Sequence, residues 1–245
     1  MIRIYDDYES MSKAAAQLFI DRAAGCVREH GRFTTALSGG HTPQRTYELL
    51  AQSRRDQEVP WQQVHVFWGD ERCVPLDDPQ SNARMTREAL LDHVPIPDAH
   101  VHPIRCAQDP EQAAKDYAAE LRAHLGERHF DLVFLGLGEN GHTASLFPDT
   151  DILEARDRWT GAVYVAEQDM WRVTLTAPLI NEAAAIAFLV TGASKAEIVH
   201  RVLEGPHDPN RLPAQLIQPV NGIMYYLLDT EAASKLDEGL KRKSA

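Results

Sequence analysis

Four short apolar runs, each ending abruptly in a glycine-bearing turn, constrain this chain more than any other feature. Residues 32–37 (RFTTAL) run into Ser38-Gly39-Gly40, and residues 64–68 (VHVFW) into Gly69-Asp70-Glu71-Arg72. Residues 130–135 (FDLVFL) run into GLGENGH at 136–142, and residues 185–190 (AIAFLV) into Thr191-Gly192-Ala193. The runs are strand-sized, rich in β-branched and aromatic residues, and separated by helical patterns. Strands this apolar are buried on both faces. The pattern therefore predicts an α/β fold, a Rossmann-like, doubly wound, mainly parallel sheet with helices on both faces. Helices are expected at 9–30, from about Thr42 with Pro43 in its first position, and at 109–126 between Asp109-Pro110 and Gly126. Another is expected at 194–204 behind a capping box, Ser194-x-x-Glu197. A last strand at 223–228 precedes a polar C-terminal helix, and the Pro-containing segment 92–104 reads as a surface connection.

With 245 residues and no internal repeat or low-complexity linker, a single domain over 1–245 is expected, with or without a small added lobe. The 25 Lys+Arg against 36 Asp+Glu give a net charge of −11, which argues against nucleic acid or an anionic membrane as the main partner. A small anion stays admissible, provided cations gather locally. Cys26, Cys73 and Cys106 are odd in number and lack a CxxC spacing, which argues against a disulfide framework and a cysteine zinc site. With no secretory pattern in MIRIYDDYES, a reducing cytoplasm is the expected location. The longest apolar stretch, 183–190, is too short to span a membrane.

In open α/β sheets ligands bind beyond the carboxyl ends of the strands, where strand order reverses, and all four turns fall at such ends. SGGHTP at 38–43 offers backbone N–H groups before a helix N-terminus, which suits an anion as well as it suits a plain tight turn. Arg72 either forks a phosphate or pairs with its acidic neighbours. GLGENG matches GxGxxG, but Pro148 cuts short the helix that a dinucleotide fingerprint requires. His142 is either a general base at a strand end or the polar cap of a helix at 142–146. Lys195 opposes the dipole of its own helix, a sign that a bound anion would reverse. Arg172 is either a strand-edge charge or a ligand to substrate oxygen. GxSxG, HExxH and GxxxxGK[ST] are all missing, and His100-x-His102 has no partner cluster for zinc in the sequence.

Several blocks occur together: SGGHTP, FWGDERCVP with Ser81-Asn82, GLGENGHTASLFP, and RVTLTAPLIN ahead of TGASKAEIVHRVLEG. In this order, on to Leu212-Pro213-Ala214-Gln215, they resemble the 6-phosphogluconolactonase family over nearly the whole chain. The resemblance implies a Rossmann-like fold shared with glucosamine-6-phosphate deaminases. It also implies hydrolysis of 6-phospho-D-glucono-1,5-lactone to 6-phospho-D-gluconate, the second step of the oxidative pentose phosphate pathway. The partner expected is thus a small phosphorylated sugar lactone, with no metal or organic cofactor, on a monomer or small homo-oligomer. Deaminases of the fold carry Asp-Gly-His and a nearby glutamate, where this chain has Asn140-Gly141-His142 and Phe147. Neither an amide nor a phenyl ring moves protons, so an amino-sugar-phosphate isomerase or deaminase ranks second. A non-catalytic sugar-phosphate sensor ranks third.

Carried over residue by residue, the resemblance makes His142 the general base, with Asp70 orienting it or a sugar hydroxyl. Arg72 and Lys195 hold the 6-phosphate with the Ser38, Gly39 and Gly40 turn, while Arg172 and Asn140 add contacts to substrate. Oxyanion donors come from Gly39-Gly40 or from loop 138–141. Activity is expected to fall through the ordinary histidine range as pH drops, and the cations to share one basic pocket.

Overall fold

The computed structural model describes residues 1–52, 58–106, 109–126 and 128–242. Nine strands are described among them: β1 (Ile2–Tyr5), β2 (Phe33–Leu37), β3 (Val64–Trp68), β4 (Asp70–Arg72), β5 (Leu132–Leu135), β6 (Thr160–Val165), β7 (Met170–Leu175), β8 (Ala185–Val190) and β9 (Ile223–Asp229). The helices are α1 (Tyr8–His30), α2 (His41–Leu50), α3 (Asn82–Ala89), α4 (Pro110–Leu125), α5 (Ala177–Asn181), α6 (Ala196–Glu204) and α7 (Glu238–Arg242). Six strands form one sheet in the order β1-β9-β8-β5-β2-β3, every neighbouring pair parallel. Every residue of β2, β5 and β8 is buried, as strands covered by helices on both faces must be. From β2 the chain steps outward to β3, then returns to pair β5 on the other side of β2. Strand order reverses there, and the crevice at the carboxyl ends of β2 and β5 is the natural ligand site.

The helix punctuation expected from sequence holds at α1 and α4. Asp7 accepts from Ser10 N and Gly31 ends α1 at φ 84, while Asp109 accepts from Gln112 N to open α4. Elsewhere the structure departs from expectation. Helix α2 starts at His41, so Pro43 is its third residue, where the missing N–H still costs no helical bond. The Ser194 capping box does not form: a 3-10 turn occupies Ala193–Lys195, α6 begins at Ala196 without a side-chain cap, and Glu197 pairs with Lys235 at 2.8 Å. No helix follows His142; an isolated bridge joins Thr143 to Leu146 instead. Segment 92–104 is not all surface, since Val101 bridges Val66 beside β3 and Val94, His102 and Ile104 are buried.

A second, three-stranded antiparallel sheet has the order β4-β7-β6. It grows directly from the first, because Gly69 alone separates β3 from β4. Gly69 N–H donates to Leu37 O at 2.9 Å and Gly69 C=O accepts from Leu175 N at 2.8 Å, so this residue stitches the two sheets together. Arg172 lies on β7, the middle strand, and is therefore not a strand-edge charge. Cys73 and Cys106 are joined in a disulfide, against the expectation of free thiols, and Cys26 is free and buried. The two bonded cysteines are 33 residues apart in sequence, a spacing that carries no signal by itself. They meet because Cys73 follows β4 and Cys106 ends the segment lying along β3.

Candidate active site

All four turns singled out in the sequence contribute to one cavity of about 330 Å³. Ser38, Gly39 and Gly40 come from the end of β2, Asp70 and Arg72 from β4, Gly138 and His142 from the loop after β5, and Thr191 and Lys195 from the turn after β8. Arg172 of β7 also lines it, so three cations face one carboxylate in a chain whose net charge is −11. Asn140 does not line the cavity but stands behind His142.

Tyrosines hold the strand ends from beneath. Tyr47 of α2 is fully buried and its hydroxyl accepts from Ser38 N at 3.1 Å while donating to Ser38 O at 2.9 Å. Tyr117 of α4 does the same for Trp68, at 2.9 and 3.1 Å. After β8, Gly192 N donates to both carboxylate oxygens of buried Asp229 at 3.0 and 2.9 Å, which fixes the turn carrying Lys195.

His142 packs flat on Phe147, with ring centroids 4.1 Å apart and planes 17° from parallel. Its other side covers Gly138, where a Cβ would come within 2.0 Å of Nδ1, so only glycine admits the imidazole here. Asn140 Oδ1 accepts from the backbone N–H of His142 at 3.1 Å and lies 2.6 Å from Nδ1. Because that oxygen only accepts, Nδ1 carries the proton and Nε2 keeps its lone pair. Burial pushes the imidazole down to about 4; the Asp70 charge opposes this shift, and Arg172, Lys195 and Arg72 reinforce it.

The strand geometry of β4 separates its three charges, since successive side chains point to opposite faces. Asp70 turns to the cavity, accepting from Ser145 Oγ at 2.6 Å and from Arg172 Nη1 at 3.3 Å. Glu71 turns inward, 1% exposed, and accepts from Ser81 Oγ at 2.9 Å and from the N–H groups of Arg72, Asn82 and Ala83, each at 2.8 Å. Burial raises its carboxyl pKa and these donors pull it back. Arg72 pairs with neither acidic neighbour; its Nη1 donates to Gln80 O at 2.6 Å, which leaves most of the guanidinium fork to the cavity. Arg172, 6% exposed, is held by Asp70 and Gln168 and lies over the Phe147 ring, with Cζ 5.5 Å from its centroid.

Helix ends complete the site. Of the helices with eight or more residues, α1, α3 and α4 are capped by Asp7, Ser81 and Asp109, whereas α2 and α6 have no side-chain cap. Those two open onto the cavity through Gly40, His41 and Thr42 of the first and Lys195 of the second. The first N–H groups and dipole of α2 favour an anion there; at α6 the preceding 3-10 turn already pairs the N–H groups of Lys195 and Ala196, so this end offers its dipole and the Lys195 ammonium. The Lys195 ammonium makes no hydrogen bond or ion pair with any described residue, while its backbone N–H donates to Gly192 O at 3.0 Å.

Sequence reasoning assigned no place in the site to several groups that shape this cavity, although it named Asn82 and Phe147. Asn82 donates to Asp70 O at 2.9 Å and approaches Gly39 so closely that a Cβ there would lie 1.8 Å from its Oδ1. Ser145 and Gln168 anchor Asp70 and Arg172, and Phe147 is the plate on which both His142 and Arg172 rest. Ser145 and Phe147 lie in the block GLGENGHTASLFP, whose regular spacing from His142 was the available signal.

The model of the family described as glucosamine-6-phosphate isomerases/6-phosphogluconolactonase matches residues 6–226. A 6-phosphogluconolactonase from Synechocystis is 46% identical over 235 residues, covering 90% of this chain and 95% of that protein. The solved structure of 6-phosphogluconolactonase from Trypanosoma brucei superposes with a TM-score of 0.85 at 28% identity, covering 97% of this chain and 98% of that one. A monomeric glucosamine-6-phosphate deaminase superposes with a TM-score of 0.83 at 25% identity, over 96% of this chain and 99% of that one. Sequence match, fold and relatives agree that the chain belongs to the glucosamine-6-phosphate isomerase/6-phosphogluconolactonase family.

Proposed function

We propose that the chain hydrolyses 6-phospho-D-glucono-1,5-lactone to 6-phospho-D-gluconate, with His142 as general base. The observation that carries this is an imidazole whose Nδ1 proton is held by Asn140, leaving a basic Nε2 in a cavity lined by Arg72, Arg172 and Lys195. The 6-phosphate lies between Arg72, Lys195 and the uncapped N-terminus of α2. Nε2 takes a proton from water as the water oxygen attacks C1. The tetrahedral intermediate then collapses with cleavage of the bond from C1 to the ring oxygen, which receives the proton from the imidazolium. The Gly138 and Gly141 amides already donate to His142 O and Gly138 O, so the Gly39 and Gly40 amides are assigned to the oxyanion. Asp70 does not hydrogen-bond His142; its charge stabilises the imidazolium that forms, and Arg172 and Ser145 hold it in place.

Deamination of an amino-sugar phosphate needs a carboxylate where Phe147 stands, and Phe147, in contact with both His142 and Arg172, has no titrating group to offer. The test measures acid release from freshly prepared 6-phosphogluconolactone alongside ammonia release from glucosamine 6-phosphate. Acid release without ammonia is expected. Ammonia release would replace this reading by the deaminase, and the appearance of neither product would replace it by the sensor.

A further inference from the structure

Away from the catalytic cavity, the fold assembles a histidine cluster that the sequence scatters over three segments. His65 lies on β3, the sheet's edge strand; His102 follows Val101, which bridges β3, and its N–H donates to Val66 O at 2.9 Å; His124 is in the last turn of α4. None of the three lines the cavity described above. We propose that His65, His102 and His124 form a binding site for a divalent transition-metal ion of the zinc type.

Geometry supports the assignment first. One ring nitrogen from each histidine lies within 4.8 Å of the other two. His65 Nδ1 and His102 Nε2 are 3.2 Å apart. Two nitrogens bound tetrahedrally to zinc at about 2.0–2.1 Å are about 3.3–3.4 Å apart, so this pair already spans one edge of the polyhedron.

Proton positions support it second. His102 Nδ1 lies 2.9 Å from Glu120 Oε1, and an ionised carboxylate only accepts, so Nδ1 carries the hydrogen and Nε2 presents its lone pair to the cluster. A ligating histidine whose other nitrogen donates to a carboxylate is the usual arrangement around bound zinc. Imidazole donors without thiolates suit zinc, copper or nickel rather than calcium or magnesium. Glu120 supplies negative charge behind the site, while Arg32 acts on His65 in the opposite sense. An ion held here would tie α4 and the segment after Val101 to the edge strand, and so would act on stability rather than turnover.

The alternative is a set of neutral rings that only stack and hydrogen-bond, with His102 and His124 centroids 4.1 Å apart and His65 and His100 4.0 Å apart. The full chain, stripped with a chelator, separates the two when titrated with Zn²⁺ and Co²⁺ near pH 7.5. One equivalent of Zn²⁺ per chain, a raised thermal midpoint and the intense visible bands of tetrahedral Co²⁺ are expected. Glu120→Gln, which keeps the side-chain shape, should weaken uptake by about 10–100-fold. His124→Ala should remove the site and leave lactone hydrolysis unchanged, and His142→Ala should leave metal uptake intact. The proposal is overturned if Zn²⁺ is not taken up, if uptake survives both cluster substitutions, or if uptake is lost with His142.

Discussion

At the scale of the residue, His142 depends on four neighbours that do different things to it. Asn140 fixes its tautomer, Phe147 supports one face, Gly138 makes room, and Asp70 offsets the loss of solvent. Replacing His142 by alanine should lower kcat by about 10²–10⁴-fold, measured as acid release in a weakly buffered assay. A loss of less than tenfold would remove it from the mechanism. Its pH dependence differs from the expectation drawn from sequence. A base works deprotonated, so kcat/KM must fall as pH drops through the free-enzyme pKa, which burial has moved from 6.5 to about 4. The profile should therefore stay level through pH 6 and break near 4; a break near 6.5 would show that the imidazole is solvated in the working enzyme. That His142 lines the cavity was legible in the sequence, because it stands beside glycines in the turn after a buried strand. Its environment was not, since Phe147 and Asn140 act through packing that a linear string does not display.

At the scale of the element, strand alternation and helix ends decide which charges meet substrate. Asp70 and Arg72 face the cavity because Glu71, between them on β4, faces inward to cap α3. Glu71→Gln turns an acceptor into a partial donor against backbone N–H groups and should cost about 1–3 kcal/mol, read as a lower urea midpoint at constant m. An unchanged midpoint would mean that α3 does not rely on this carboxylate. Lys195 sits where α6 begins and its ammonium lacks a protein partner among the described residues, as a group reserved for an anion should. Lys195→Ala should raise KM for the phosphorylated lactone by about 10–100-fold with a smaller change in kcat. An unchanged KM would take Lys195 out of the phosphate clamp. The parallel strands were readable as uniformly apolar runs, α1 from its helical pattern ahead of Gly31, and α4 from its Asp109 and Gly126 punctuation. The capping box at Ser194 was misleading because its Glu197 found Lys235, 38 residues away, a more attractive partner. Strand β6, TGAVYV, has no charge or turn signal to mark it and emerges only by pairing with β7.

At the scale of the whole molecule, the disulfide is the feature the sequence concealed. It joins residues 33 positions apart, closing a loop that holds α3 and the segment after Val101, and it begins one residue beyond Arg72, the last of β4. Reduction should lower unfolding stability by about 2–4 kcal/mol, measured by urea unfolding with and without a reductant, against a Cys73→Ser variant that should not respond. Equal stability in both conditions would show that the bond is absent in solution. The same scale decides how charge is distributed. A chain of net charge −11 nevertheless turns Arg72, Arg172 and Lys195 into one cavity, because the small sheet that bears the two arginines grows from the carboxyl end of β3, beside the turn after β8 that bears Lys195. Arg72 rides on the small sheet and Lys195 on the large one, and the two sheets meet at Gly69. An anion gripped from both sides would thus act as a rivet, adding one more tie between two sheets that Gly69, the disulfide and the packing of α4 on β6 and β7 already join.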